Sequence, residues 1–319
     1  MKKYLFFVLL CVVACGRQSD TPVYLDPSAD IEARVEDALS RMSLDEKIAA
    51  IHAQSTFSLP GVKKLGIPEL WTSDGPHGVR PEVPWNDWGK PGWNNDSCVA
   101  FPALTCLAAT WNRDVAGQYG AAIGEEARFR EKDVILGPGV NMYRSPLCGR
   151  NFEYMGEDPY LAGKLAVPYI HGLQSKGVGA CVKHYACNNE ERHRHKTDVE
   201  VSERALREIY LPAFEMAVKE GGAWSMMASY NLFRGTHCCH NGYLINDILK
   251  GEWGFDGVVM SDWAGCHDTK EAVLGGLDVE FGTRVGKKMP AGESVYDTYY
   301  LAEAYKQGIL AGDFSEEGL

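Results

Sequence analysis

The sequence predicts an α/β fold built on a (β/α)8 barrel of the TIM type, and three observations carry that expectation. Short apolar runs alternate with longer segments of helical periodicity, as parallel strands alternate with their crossover helices. Polar and charged residues follow directly on those runs, where the mouth of a parallel barrel lies. The chain has 319 residues, 45% hydrophobic and 11% aromatic, which suffices for the core of one large domain or two ordinary ones.

The first residues read as an export signal. Lys2-Lys3 precede an apolar stretch, Tyr4 to Ala14, that is too short for a membrane span, so residues 1–14 are expected to be a signal peptide. Val12-Val13-Ala14-Cys15 has the form of a bacterial lipobox, in which Cys15 is lipidated and becomes the new N-terminus. Residues 15–28, beginning Cys15-Gly16-Arg17-Gln18-Ser19, are then a polar tether, and residues 29–319 the barrel domain. The expected product is exported: a bacterial lipoprotein, periplasmic or associated with the outer membrane, that meets the membrane through its lipid.

The elements follow in order. Ile31, Val35, Ala38, Leu39 and Met42 share one helical face, and Ser43-Leu44-Asp45-Glu46 is a capping box ahead of a second helix. Strands are expected around Leu70-Trp71, Val134 to Leu136, Val178 to Val182, Trp224 to Ala228, Val258 to Met260 and Leu277 to Val279. Helical patterns lie near Val115 to Arg128, Asp158 to Lys176, Ser202 to Lys219 and Tyr243 to Glu252. Six or seven strands are legible, not eight. Pro81 to Pro102 is a long loop rich in Trp, Pro, Gly and Asn, a length commonly functional on a barrel.

Composition narrows the partners. Against 32 basic residues stand 43 acidic ones, a net charge of −11, so a phosphate-binding role with nucleic acid is excluded and a neutral ligand fits better. Ten cysteines include Cys11 and Cys15 near the N-terminus; the others show no CxxC spacing, and Cys181 and Cys106, in apolar runs, read as small core residues. His193-Arg194-His195 and His237-Cys238-Cys239-His240 lack a zinc-finger spacing or a second half, so no metal and no cofactor is expected.

The polar residues after the strands form one set. Thr72-Ser73-Asp74-Gly75-Pro76-His77-Gly78 follows the first run, with His77 a turn residue, and Asn141, Arg144 and Gly149-Arg150-Asn151-Phe152-Glu153 follow the second. Lys183-His184-Tyr185, Ser229-Tyr230-Asn231 and Asp262-Trp263 follow the later ones. On parallel strands these converge on one pocket. An acid at the end of Gly257-Val258-Val259-Met260-Ser261-Asp262, with the Trp263 ring beside it for an apolar sugar face, suits a nucleophile that attacks an acetal carbon. Neighbouring cations keep such a carboxylate ionised.

These stretches resemble glycoside hydrolase family 3, within it the two-domain β-glucosidases. The resemblance rests on Asp74 to Arg80, Gly149 to Glu153 with Glu157-Asp158-Pro159, Lys183 to Glu191, Ser202 to Tyr210, Met227 to Asn231 and Gly257 to Trp263, in family order over nearly the whole mature chain. It implies that Asp262 is the catalytic nucleophile of a retaining mechanism. It also implies that Asp74, Arg150, Lys183, His184, Tyr230 and Trp263 hold the non-reducing-end sugar of an oligo- or disaccharide, with Arg194 where the family has an arginine. Retention requires a second carboxyl as acid/base. In two-domain members that glutamate lies in an α/β sandwich domain downstream of the barrel, and the Gly-His-Gly pattern of single-domain hexosaminidases is replaced here by Ala186-Cys187-Asn188-Asn189-Glu190-Glu191. The chain therefore reads as the barrel half of a longer enzyme, truncated before that domain. Glu190, Glu191 and Asp268 are the acids within it that could substitute. A β-xylosidase of the same family, or a truncated, non-catalytic sugar-binding lipoprotein, are the competing readings.

The lipobox yields the first prediction. Cys15→Ser is expected to move the mature protein from the membrane fraction to the soluble fraction, because the rest of the chain shows no other apolar stretch of spanning length. Retention of the variant in membranes after a high-salt wash would contradict lipidation at Cys15.

Overall fold

The computed structural model describes residues 21–89, 97–282 and 294–319. The expected signal peptide and Cys15 lie outside the described residues. The chain divides into two compact units, Met1–Met42 and Ser43–Leu319. The first contains helix α1 (Ile31–Arg41), capped by Asp30, whose carboxylate accepts from the Ala33 amide at 3.3 Å. Asp37 ties α1 to the preceding turn by accepting from the Tyr24 amide at 3.0 Å. Ile31 and Val35, expected on its apolar face, are exposed.

The second unit begins with the expected capping box. Ser43 Oγ accepts from the Glu46 amide, and the Glu46 carboxylate accepts from the Ser43 amide, at the start of α2 (Leu44–Ala50). Then follow β1 (Ser58–Leu59), β2 (Leu70–Asp74), α3 (Leu104–Ala109), α4 (Arg113–Phe129), β3 (Val134–Leu136), α5 (Pro159–Gln174) and β4 (Gly179–Tyr185). Next come β5 (Asp198–Val199), α6 (Glu203–Ala205), a π-helical turn into α7 (Pro212–Lys219), and β6 (Ser225–Ala228). A hairpin of β7 (Leu232–Phe233) and β8 (Thr236–His237), a π-helix (Tyr243–Glu252), β9 (Val258–Ser261), α8 (Thr269–Gly275) and α9 (Glu303–Ala311) complete the order.

The six-stranded sheet runs β1-β2-β3-β4-β6-β9, with β2, β3, β4, β6 and β9 parallel. Backbone bonds carry the ring onward. Ser261 donates to Val279, Glu280 donates to Ile51, Ala53 donates to Glu280, and Gln54 donates to Ser58 of β1. The expected strand at Leu277 to Val279 is present only as isolated parallel bridges, Met260 with Val279 and His52 with Glu280. One reason is local: the Asp278 carboxylate takes the Val259 amide at 2.8 Å, replacing a ladder bond. The opening stave departs further from the ideal barrel, because β1 is antiparallel to β2.

Alternation along the strands sorts residues between two cores. Val134, Leu136, Cys181, Met227, Met260 and Val279 fill the barrel interior with Phe57 and Phe281. Ile135, Ala180, Val182, Met226 and Val259 face the helices. Two residues beyond the inner-facing Cys181 and Met260 stand Lys183 and Asp262, so period two alone delivers both to the mouth. In β4 the register shifts between Lys183 and Tyr185, and such a bulge re-aims side chains. Cys106 corrects the sequence reading: it is exposed on the outer side of α3, whose Leu104, Leu107 and Ala108 are buried, whereas Cys181 is fully buried as expected.

Helices α4 and α5 pack at backbone distance through glycines. A Cβ on Gly120 would lie 2.1 Å from the Tyr169 carbonyl oxygen, and one on Gly172 at 2.1 Å from that of Gly117. Tyr169 donates its hydroxyl to the Pro76 carbonyl at 2.9 Å, so this contact also fixes the turn after β2. Gly120→Ala gains about 1 kcal/mol of helix propensity but forces rigid backbones apart, at a cost of about 1–3 kcal/mol or more. Urea unfolding should show net destabilisation; a variant as stable as the parent would contradict this packing.

Candidate functional site

The strand mouths build one cavity of about 210 Å³. It is lined by the residues that the family resemblance singles out: Asp74, Arg150, Lys183, His184, Tyr230, Asp262 and Trp263. Trp88, Arg194 and Met227 complete the lining. Asp74 ends β2, Lys183 and His184 lie near the end of β4, Tyr230 follows β6, and Asp262 follows β9 directly. Arg150 comes from the long loop after β3, at the cap of a 3-10 turn, Asn151–Glu153.

Asp262 is buried, with its backbone held by the Ala228 carbonyl at 3.1 Å. Its Oδ1 accepts from the Trp263 amide at 2.7 Å, while Oδ2 takes no hydrogen bond. Burial raises its pKa above the ordinary aspartate value, and Arg150, the Tyr230 hydroxyl, Lys183 and the Trp263 amide oppose that rise. Trp263 is fixed in turn: its Nε1–H donates to the Thr56 carbonyl at 2.7 Å, and its ring stacks on Phe281 at 4.7 Å.

His184 is neutral. Burial first, then Arg150, Lys183 and Arg194, push its pKa well below the usual imidazole value. Arg150 Nη2 lies 2.9 Å from His184 Nε2, and a guanidinium only donates, so Nε2 carries the lone pair and Nδ1–H faces the Tyr154 hydroxyl at 3.0 Å. The 3.5 Å approach of Nε2 to Asp262 Oδ2 is therefore not an ion pair. Asn141 clamps the His184 backbone from both sides, accepting from its amide at 2.8 Å and donating to its carbonyl at 2.9 Å.

The cations are matched by carboxylates behind them. Buried Glu153 bonds Arg150 Nε and lies 3.6 Å from Lys183 Nζ. Burial works against its charge, yet Lys183 and Arg150 hold its pKa below the ordinary carboxylate value. Glu191 accepts from Arg194 at 2.9 Å and from Asn188 at 3.0 Å, with Arg150 Nη1 at 3.6 Å. Arg194 sits over the Tyr230 ring at 4.2 Å, and Arg80 pairs with Asp74 at 2.9 Å.

Several expected residues lie elsewhere. Arg144 sits over Tyr210, and His77 packs on Phe152. Of the candidate substitute acids, Glu191 is engaged as above, Glu190 accepts from the Arg192 amide at 2.7 Å, and Asp268 caps α8; none lines the cavity. Among the described residues no group of three or more His, Cys, Asp or Glu side chains converges as a metal ion requires. His195 lies against Tyr230 and His237 against His267. Sequence reasoning missed Trp88 and Met227 as lining residues. Trp88 lies in the Trp-rich loop flagged above, and Met227 was findable from strand alternation.

A stability prediction follows from the Asp262 shift. A carboxyl whose folded pKa lies above its unfolded value binds more protons when native, so stability falls as pH rises from the unfolded pKa through the folded one. Asp262→Asn removes that cost at nearly constant shape, so the variant should melt at or above the parent temperature at pH 7, with the difference shrinking toward acid pH. Substantial destabilisation in thermal melts would show that the charge is net stabilising.

Comparisons with known proteins identify the family. The sequence profile of the Glycosyl hydrolase family 3 N terminal domain matches residues 52–282. The chain is 58% identical over 323 residues to Beta-glucosidase BoGH3A of Bacteroides ovatus, covering 99% of this chain and 43% of that protein. It is 42% identical over 274 residues to Thermostable beta-glucosidase B of Acetivibrio thermocellus, covering 86% and 35%. The structure of DesR, a beta-glucosidase from Streptomyces venezuelae in complex with D-glucose, superposes with a TM-score of 0.80 at 37% identity, over 89% of this chain and 36% of that one. The chain thus spans less than half the length of these relatives. It belongs to glycosyl hydrolase family 3 and corresponds to the family's N-terminal, barrel-like domain.

Proposed function

We propose that this chain supplies the sugar-binding and nucleophilic half of a retaining, exo-acting β-glycosidase of the β-glucosidase type. The observation that carries the reading is Asp262: a buried carboxylate with Oδ1 fixed by a backbone amide and Oδ2 free of donors at the wall of a monosaccharide-sized cavity. A nucleophile needs an unengaged lone pair and a fixed approach, and both are supplied. Arg150, Lys183 and neutral His184 present donors and one acceptor to ring hydroxyls, Asp74 presents acceptors, and the Trp263 and Trp88 rings face the apolar side of the sugar. The β-glucoside preference is supported by the β-glucosidase names of the relatives and by a cavity below the several hundred Å³ usual for larger ligands. In this reading the lipobox-like residues 12–15 support export from the cytoplasm.

In the proposed mechanism Asp262 Oδ2 attacks the anomeric carbon, the glycosidic oxygen leaves, and water later cleaves the glycosyl ester with retention. A basic leaving alkoxide needs a proton, and the other described carboxyl lining the cavity, Asp74, is paired with Arg80 at 2.9 Å. The acid/base glutamate is accordingly assigned to a segment outside this chain, consistent with relatives of more than twice its length.

The test is the purified chain acting on two substrates. A dinitrophenyl β-glucoside, whose leaving group needs no proton, should give a burst of about one equivalent followed by slow turnover. Cellobiose should be cleaved about 10²–10⁴-fold more slowly than by an enzyme with its general acid in place. Steady, rapid cellobiose turnover that disappears in Asp262→Ala would show that the acid lies within these residues.

A further inference from the structure

A second cavity, of about 190 Å³, lies beside the first and shares none of its lining. Residues 55–57, residues 71–73 and the stretch 80–85 form its walls, with Lys132. We propose that it is an accessory binding site for a neutral pyranose sugar, separate from the catalytic subsite.

Two features of the lining select that ligand. Trp71 and Trp85 meet edge to face at 5.8 Å, and Trp85, 47% exposed, offers the kind of indole surface that covers the C–H face of a pyranose. The charged side chains that line the cavity are paired. Lys132, 7% exposed, places its ammonium 2.8 Å from Glu82 and 4.8 Å from the Trp71 ring centre, and Arg80 is paired with Asp74 at 2.9 Å. Pairing engages the charges that line the cavity, while an ammonium with three protons retains donor capacity for a hydroxyl.

The wall between the cavities is thin. Ser73 lines one and Asp74 the other, and Arg80 lines the second cavity while its Nη1 holds Asp74 in the first. Phe57, also in the second cavity, packs on Trp263 and Trp88 of the first, both at 5.3 Å. A sugar that draws a hydrogen bond from Arg80 weakens its hold on Asp74, so occupancy of the accessory site is felt in the catalytic one. This assignment stands on the lining of the second cavity and does not depend on the glycosidase reading.

Calorimetric titration of the full chain with D-glucose tests it. The parent protein should bind two equivalents; Trp85→Ala and Lys132→Met should each bind one, and so should His184→Ala, which disables the other cavity. Thermal melts check that each variant is folded, and two accessory-site variants are used so that a fold defect in one leaves the other decisive. Loss of an equivalent in Trp85→Ala and Lys132→Met with none lost in His184→Ala would uphold the accessory site and remove the reading of the first cavity. If both Trp85→Ala and Lys132→Met bind as many equivalents as the parent, the accessory site is refuted.

Discussion

The structure of this site depends on keeping one carboxylate charged where water is scarce. Moving such an ion from water into a dry interior costs on the order of 20 kcal/mol in the idealised limit and still several kcal/mol after relaxation. Asp262 offsets part of that cost with a backbone amide on Oδ1 and with Arg150, Lys183 and the Tyr230 hydroxyl nearby. Lys183 is buried and Arg150 half-buried, and both need counter-ions of their own. Glu153 serves Arg150 and Lys183, and Glu191 serves Arg150 and Arg194. Each carboxylate therefore stands behind a cation that stands before Asp262. His184 stays out of the charge balance, since burial and the same cations keep it neutral and free to accept from Arg150.

The barrel makes this network possible by simple alternation. Inner-facing residues along β4 and β9 are apolar at Cys181 and Met260 and become polar one step further at Lys183 and Asp262. The apolar layer below holds the strands together, and the polar layer above inherits its geometry. Functional groups set on rigid strands in this way need little ordering when a ligand arrives. Arg150, by contrast, arrives on a long loop, and its bonds to Glu153 and His184 supply the rigidity that a strand would have given.

Much of this was legible before any coordinates. Apolar runs located β2, β3, β4, β6 and β9 closely, and the polar residues after them named most of the cavity lining. The limits have physical causes. Strands of two residues, such as β5, β7 and β8, carry no readable alternation, and the antiparallel β1 is set by tertiary pairing rather than by its own residues. The counter-ion role of Glu191 depends on a loop folding back over Arg150, which no spacing announces. Cys106 shows the reverse error, since an apolar neighbourhood in sequence does not decide which side of α3 faces the core.

The central claim is that Asp262 Oδ2 is the nucleophile, and covalent trapping tests it most directly. Incubating the chain with a dinitrophenyl 2-deoxy-2-fluoro-β-glucoside slows both steps but retains a leaving group that needs no proton, so the glycosyl ester should accumulate. Peptide mapping by mass spectrometry is expected to place one fluoroglucosyl group on Asp262, with no label in Asp262→Asn. A label on any other residue, or equal labelling of the Asn variant, would contradict the account.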